Sequence, residues 1–158
     1  MISIRAGRDD DAVQLIDLIG TIFAEYGCVL DVDGELPELG TIASAFEKLG
    51  GEFWVAESES GIVGCIGYTP VADGVEIRKL YVKQTQRRAG LGDLLYQRVV
   101  AAARRRQVTF LDLWSDTRFV EAHRFYEKRG FVRGENSREL HDISNTVEYY
   151  YRKSLCRD

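Results

Sequence analysis

A chain of 158 residues is long enough to bury one sizeable core and fits a single domain spanning residues 1–158. With 45% hydrophobic residues, 29% charged residues and a net charge of −4, it has the make-up of a globular protein in water and lacks the basic footprint of a nucleic-acid partner. Cys28, Cys65 and Cys156 are odd in number, far apart and unaccompanied by a CxxC pair or a histidine cluster, so neither a disulfide framework nor a metal site is indicated.

The N-terminus lacks the long apolar core of a signal peptide, and no apolar run reaches the length of a membrane span, so the expected home is a reducing, cytoplasmic compartment. Ile2 and Ile4 begin a short alternating strand. Asp9 to Asp11 supply an N-cap and first-turn negative charge for a helix whose Val13, Ile16, Ile19, Ile22, Phe23 and Tyr26 form one stripe. A polar, acidic loop follows from Cys28 to Pro37, and a second helix from Leu39 to Leu49 stops at Gly50-Gly51. Phe53 to Ala56, Ile62 to Tyr68 and Val75 to Val82 read as three strands, the last preceded by an Asp73-Gly74 hairpin signal. Their short connections imply an antiparallel meander. Leu91, Leu94, Leu95, Val99, Ala102 and Ala103 then mark one face of a helix, with Arg104 to Arg106 as a solvated end that complements its dipole. Val108 to Trp114 returns as a strand, and the helix-length crossover argues for parallel pairing with its predecessor. A helix from Phe119 to Lys128 is closed by Gly130, and strands beginning at Phe131-Val132 and running from Thr146 to Tyr151 end the pattern.

The segment joining the third strand to the following helix carries the clearest chemistry. After Leu80-Tyr81-Val82 come Arg87-Arg88 and two alternate glycines, Gly90 and Gly92, at a helix start. Glycines there let the backbone approach a ligand, and the unpaired N–H groups with the positive end of the helix dipole make a seat for phosphate oxygens. Arginine can add a bidentate bond to the same group. No Lys-Ser or Lys-Thr follows, which excludes a P-loop, and Leu95 stands where a dinucleotide fingerprint needs its third glycine. On residues alone, a tight turn with helix-capping glycines is the bland alternative.

The remaining pattern, RxxGxG at Arg87, Gly90 and Gly92, resembles the acyl-CoA pyrophosphate loop of the GNAT superfamily of N-acetyltransferases. The segment from Glu121 to Phe131 is similar to that family's A-xx-[FL]-YEK-x-GF signature, and the element order β-αα-βββ-α-β-α-ββ matches its fold along the whole chain. The resemblance implies an α/β (α+β) architecture with a mixed central sheet and acetyl-CoA as co-substrate. Arg87, Arg88, Ala89, Gly90, Leu91 and Gly92 would hold the pyrophosphate, and Leu80, Tyr81 and Val82 would offer backbone groups to the pantetheine arm. The family's proline and glycine at the positions of Gln84 and Arg88 are missing, as is the asparagine at that of Phe119, whose task falls to Ser115, Thr117 or water.

Two residues are the catalytic candidates the resemblance implies. Tyr126 would protonate the departing sulfur; packing among Phe125 and Phe131 is its alternative. Glu76, in a strand similar to the family's E-[IL]-KR-x-YV, would accept a proton from the incoming amine; an ion pair with Arg78 is the alternative. Strict alternation puts Glu76, Arg78, Leu80 and Val82 on one face and Ile77, Lys79 and Tyr81 on the other. His123 reads as a partly exposed helix residue, and His141 as a loop residue in the segment from Gly134 to Asn145, which with Glu139 borders the acceptor pocket in this fold. Asp31, Asp33, Glu35 and Glu38 form an acidic rim suited to a cationic amine. The expected partner is a small-molecule amine, without nucleic acid, membrane or metal. Tyr149-Tyr150-Tyr151 can serve a homodimer edge as readily as a core. A non-catalytic acyl-CoA sensor and a protein lysine or N-terminal acetyltransferase remain open beside the small-amine reading.

Overall fold

The structure, a computed structural model, describes residues 1–155, so Cys156 lies outside the described residues. The elements run β1 (Ser3–Ala6), α1 (Ala12–Glu25), α2 (Val32–Glu35), α3 (Ile42–Lys48), β2 (Glu52–Ser58), β3 (Gly61–Val71), β4 (Gly74–Val82), α4 (Leu91–Arg105), β5 (Phe110–Asp116), α5 (Val120–Lys128), β6 (Val132–Glu139) and β7 (Val147–Ser154). This is the expected order with one added turn of helix, α2, inside the acidic segment. Asp31 caps that turn, its carboxylate accepting the Gly34 N–H at 3.0 Å.

The strands form one seven-stranded mixed sheet in the order β1-β2-β3-β4-β5-β7-β6. Short connections make β2-β3, β3-β4 and β6-β7 antiparallel, β1-β2 and β5-β7 are antiparallel across longer connections, and the crossover through α4 makes β4 and β5 parallel. The parallel pairing is brief: it runs from Gly74 opposite Phe110 to Glu76 opposite Asp112 and ends there. Beyond that point the two strands part.

Helices cover both faces. On one, α4 and α5 pack Leu95, Tyr96, Val99 and Tyr126 against Val75, Ile77, Leu111, Leu113 and Tyr151. On the other, α1 and α3 pack Leu15, Ile19, Ile22 and Phe46 against Phe53, Val55 and Cys65. Fully burying a side chain such as Phe46 or Leu95 contributes about 1.5–3 kcal/mol. The helical stripes are rotated from the expected ones. Val13 and Leu94 are 79% and 57% exposed, while Leu15 and Leu18 on α1 and Tyr96 and Val100 on α4 are buried. Residue spacing gives the period of a stripe, but packing on the twisted sheet sets its phase.

A bulge interrupts β4. Gly67 stands opposite Arg78, yet Cys65 stands opposite Tyr81, so Lys79 and Leu80 together face the place of Ile66. Lys79 takes a left-handed backbone, φ 56°, and its carbonyl accepts from the Cys65 thiol at 3.2 Å. The strand changes phase at this point. Val75 and Ile77, then Leu80 and Val82, lie on the α4 side, while Arg78 and Tyr81 face α1 and α3. The strict alternation expected from the sequence is thereby corrected: Glu76 and Arg78 lie on the face opposite Leu80 and Val82.

Two further expectations change. The stretch from Gly134 to Asn145 is not all loop, because β6 continues to Glu139 and only 140–146 connects it to β7. It is a charged, exposed edge strand, which protects the sheet from pairing with another edge and hides it from a hydrophobic pattern. The tyrosine run divides between faces: Tyr151 is fully buried against α5, whereas the Tyr150 hydroxyl reaches Asp112 on the other side.

Candidate active site

The turn after β4 is built without proline, as one turn of 3-10 helix at Gln84–Gln86 closed by Gln86 N–H to Lys83 C=O at 2.8 Å. Arg88 then adopts φ 66° and Gly90, the N-cap of α4, φ 84°. These left-handed turns turn successive N–H groups outward. The backbone N–H groups of Arg88, Ala89, Gly90, Leu91, Gly92 and Asp93 find no acceptor among the described residues. At the positive end of a 15-residue helix they form an anion seat. Leu91 buries its side chain in the core, and a Cβ on Gly92 would meet the Phe125 ring at 3.1 Å, so glycine there lets α5 close on the loop. The left-handed backbone at Arg88 also explains what the absent glycine would have done: arginine adopts that geometry at a cost of about 1–2 kcal/mol.

Arg87 is not free in this seat. Its guanidinium donates to Glu25 at 2.7 and 3.0 Å and to the Val82 carbonyl at 3.0 Å, with Glu121 at 3.7 Å. It ties the loop to the end of α1 and to β4. Between the loop, β4 and α5 lies a cleft of about 860 Å³ lined by Leu80, Tyr81 and Val82 on one side and Ala122, Phe125 and Tyr126 on the other. Phe119 closes one end, packing on Tyr26 at 4.9 Å and Phe23 at 5.7 Å, and neither Ser115 nor Thr117 lines the cleft. An aromatic wall thus stands where the family's amide was missing.

Tyr126 is 6% exposed, with Phe125 at 5.6 Å and Phe131 at 5.5 Å, and its hydroxyl has no hydrogen-bond partner among the described residues. Burial pushes its phenol well above the ordinary range, so it holds its proton at neutral pH. His123, expected at the surface, is buried at 5% because α5 turns it inward on the same face as Tyr126. It stacks on Tyr151, its Nε2 lies 2.9 Å from the Asp116 carbonyl, and burial pushes its pKa down, so the ring is neutral.

Glu76 is not part of the cleft lining. It stands at the last position of β4 paired with β5, on the opposite face, where these two strands begin to part. Burial and then the negative charge of Asp112 raise its pKa; Arg78 and Arg138 act against them, and Glu148 adds to the rise. Arg78 does not pair with it but with Glu38 at 2.9 Å, lying over the Phe46 ring. Lys79 reaches Glu35 at 3.1 Å and Glu38 at 3.7 Å, so these two carboxylates of the acidic rim are already neutralised. Asp112 was not foreseen, although a lone carboxylate inside an apolar strand was a signal. Glu25, paired across 62 positions, left none.

Above this face two loops are latched together. The Ser144 hydroxyl accepts from Val29 N–H at 3.0 Å and donates to Val29 C=O at 3.1 Å. Arg118, paired with Asp116 at 2.8 Å, donates to Ser144 C=O at 3.1 Å and the Thr146 hydroxyl at 3.2 Å. His141 is 81% exposed at its side chain, 3.7 Å from Glu139, and Asn145 holds a left-handed turn of φ 50°. Among the described residues there is no group of three or more His, Cys, Asp or Glu that could hold a metal ion, and no helix long and apolar enough to cross a membrane.

A family model described as an acetyltransferase (GNAT) domain matches residues 49–133, from the end of α3 through the loop, α4 and α5 into β6. Human N-acetyltransferase 8 is 32% identical over 94 residues, covering 56% of this chain and 41% of that protein, so the chain spans about two-fifths of this relative's length. Among solved structures, an acetyltransferase of the GNAT family from Staphylococcus aureus Mu50 has a TM-score of 0.83 at 24% identity, covering 99% of this chain and 100% of the other. yncA from Salmonella typhimurium, solved with its cofactor acetyl-CoA, has a TM-score of 0.73 at 16% identity, covering 100% of this chain and 96% of the other. At these identities the structural likeness shows the fold.

Proposed function

Because this chain belongs to the GNAT acetyltransferase family, a family of acyltransferases, we propose that it carries an acetyl group from acetyl-CoA directly to a primary amine of a small molecule or amino acid. The observation that carries this reading is the run of unbonded N–H groups from Arg88 to Asp93 at the mouth of a cleft of about 860 Å³ that also contains Tyr126. The seat suits a pyrophosphate, and the exposed edge of β4 suits an amide-bearing arm. Arg87 already occupies the Val82 carbonyl and Tyr81 is paired with Cys65 on β3, which leaves the backbone of Leu80 for that arm. Residues 1–158 would act as one acetyltransferase domain.

Acetyl-CoA supplies the activated acetyl thioester. Glu76 is placed to take a proton from an ammonium arriving on its face, and its raised pKa makes it a better base than an ordinary carboxylate. Tyr126 keeps a proton on its phenol oxygen for donation toward the cleft. Alignment of amine and thioester across the parted strands supplies the largest factor, since well-oriented groups reach effective molarities of about 10⁵ M or more. Transfer through a cysteine is disfavoured: Cys65 is fully buried with its thiol pushed up to about 12, and burial also raises Cys28, so neither is a thiolate near neutrality. These free, buried thiols also suit a reducing cytoplasm. The latch between Ser144 and Val29 ties the 140–146 loop to the segment after α1, and tied loops suit a small amine better than a peptide that must lie across them.

Calorimetric titration with acetyl-CoA, followed by a CoA-release assay over amines, amino acids and peptides, tests the proposal. Binding with release on small amines is the expected result. Binding without release on any acceptor makes the chain a non-catalytic acyl-CoA-binding module, and release on peptides alone makes it a protein lysine or N-terminal acetyltransferase. Failure to bind acetyl-CoA sinks the assignment.

A further inference from the structure

The last residues paired across β4 and β5 are two carboxylates, Glu76 and Asp112. Neighbouring strands lie about 5 Å apart, so side chains at matched positions on one face are in reach of each other. Two carboxylates so close repel unless a proton lies between them. The site holds Asp112 firmly. Tyr150 donates to its Oδ2 at 2.6 Å, and the Tyr150 ring packs against Trp114 with centroids 5.1 Å apart. The other oxygen, Oδ1, is buried and accepts no hydrogen bond from any described residue. A buried acceptor left in this state calls for a partner.

None of the other charged groups facing the pair donates to Oδ1. Arg78 on β4 binds Glu38 and Arg138 on β6 binds Glu148 on β7; Arg152, opposite Asp112 on β7, lies over the Phe110 ring at 3.8 Å and pulls the Asp112 pKa down by its charge, but it donates no hydrogen bond to Oδ1. Glu76 is the group left to meet Oδ1. The geometry points to Glu76 and Asp112 working as one unit that shares a single proton, with Asp112 Oδ1 accepting the hydrogen bond of a protonated Glu76. The role of this unit in catalysis rests on the acetyl-transfer reading. There, both carboxylates are ionised before transfer: an N–H bond of the substrate ammonium breaks, its proton bonds to a Glu76 oxygen as the one proton the pair shares, and the new O–H donates to Asp112 Oδ1. The proton passes to water after the product leaves, which restores the starting charge. Asp112 touches no substrate and is a positioning residue that makes Glu76 a stronger base.

A titration of the full chain carrying ¹³C-labelled carboxyl groups, followed by NMR, tests the pair without any acceptor. Glu76 and Asp112 should each show two inflections at a shared pair of pH values, the mark of coupled sites. Asp112→Asn should leave Glu76 with one inflection, lower by about one pH unit or more. Independent single inflections in the unaltered chain, or a Glu76 curve unmoved by Asp112→Asn, overturn the proposal; the first arm decides even if the variant does not fold. With an acceptor in hand, the acidic limb of kcat/KM should move to lower pH in Asp112→Asn, with acetyl-CoA affinity unchanged. A shared proton without acetylation of any amine keeps the pair and removes the acetyl-transfer reading. Acetylation with independent titrations does the reverse.

Discussion

Removing the carboxylate that binds Arg87 should tighten the grip on CoA. Arg87 lines the donor cleft, but Glu25 cancels its charge through bonds of 2.7 and 3.0 Å, with the two side chains 22% and 21% exposed. Glu25→Gln keeps the shape and one acceptor oxygen while deleting the negative charge. Stability should fall by about 0.5–1 kcal/mol, as for other partly exposed ion pairs. For a pyrophosphate of charge about −2 lying about 8 Å from residue 25, Coulomb's law with a dielectric constant of about 80 gives roughly 1 kcal/mol, and about 40 gives roughly 2 kcal/mol. One Debye length of screening, about 8 Å in physiological salt, reduces this to about 0.4–0.8 kcal/mol. The Kd for CoA should therefore drop about two- to fourfold. Calorimetric titrations at low, physiological and molar salt supply the check, since the gain should grow at low salt and vanish near 1 M, where the Debye length is about 3 Å. Arg87→Ala should act oppositely, because it strands the Glu25 charge beside the ligand and frees the Val82 carbonyl. Weaker CoA binding in a well-folded Glu25→Gln protein would refute the charge argument and leave Arg87 as a loop brace.

Tyr126→Phe deletes a hydroxyl that bonds to no described residue, so stability should stay within about 0.5 kcal/mol while turnover falls about 100-fold with little change in acetyl-CoA affinity. Steady-state kinetics beside thermal denaturation would show it, and undiminished turnover removes this phenol from the chemistry. Arg88→Gly relieves the left-handed backbone of φ 66°; after the added entropy of the unfolded chain, a net gain of about 0.5 kcal/mol in urea unfolding is expected, and a loss would contradict the strain. In Gly67→Ala the new Cβ would lie 2.6 Å from Phe46 Cε2 and 2.7 Å from Phe53 Cδ2, with a destabilisation of about 1–3 kcal/mol. Near-native stability of that variant would mean the two rings move aside easily.

The geometry of the loop that would hold the donor was legible because its information is local. The loop's chemistry lies in contiguous backbone, and Gly90 and Gly92 advertise the close approach that their neighbours' N–H groups require. The acceptor side was not. Its parts come from β4, β5, β7 and the 140–146 loop, and their meeting depends on register. Asp112 becomes a partner of Glu76 only because the parallel pairing ends at that pair, and Glu35 and Glu38 lose their free charge only because Lys79 and Arg78 reach them. His123 misled for a related reason. Its polarity suggests the surface, while the inward face of α5 and the Asp116 carbonyl give it a satisfied place in the core. Strand β6 escaped because an edge strand of charged residues carries no hydrophobic alternation.

The extra residue at Lys79 makes β4 a strand read in two frames. Ahead of it, odd positions face α4 and α5; after it, even positions do. One continuous segment can therefore send Glu76 to one side of the sheet and Leu80 and Val82 to the other, with the parted strands as the doorway between them. No side chain carries this property, so a scan of substitutions would pass over it. Deleting a single residue there would reverse the addresses of everything downstream, turning Tyr81 toward α4 and Leu80 toward α1. For anyone transplanting this chemistry into another sheet, the count of residues between the glutamate and the glycines matters as much as which residues they are.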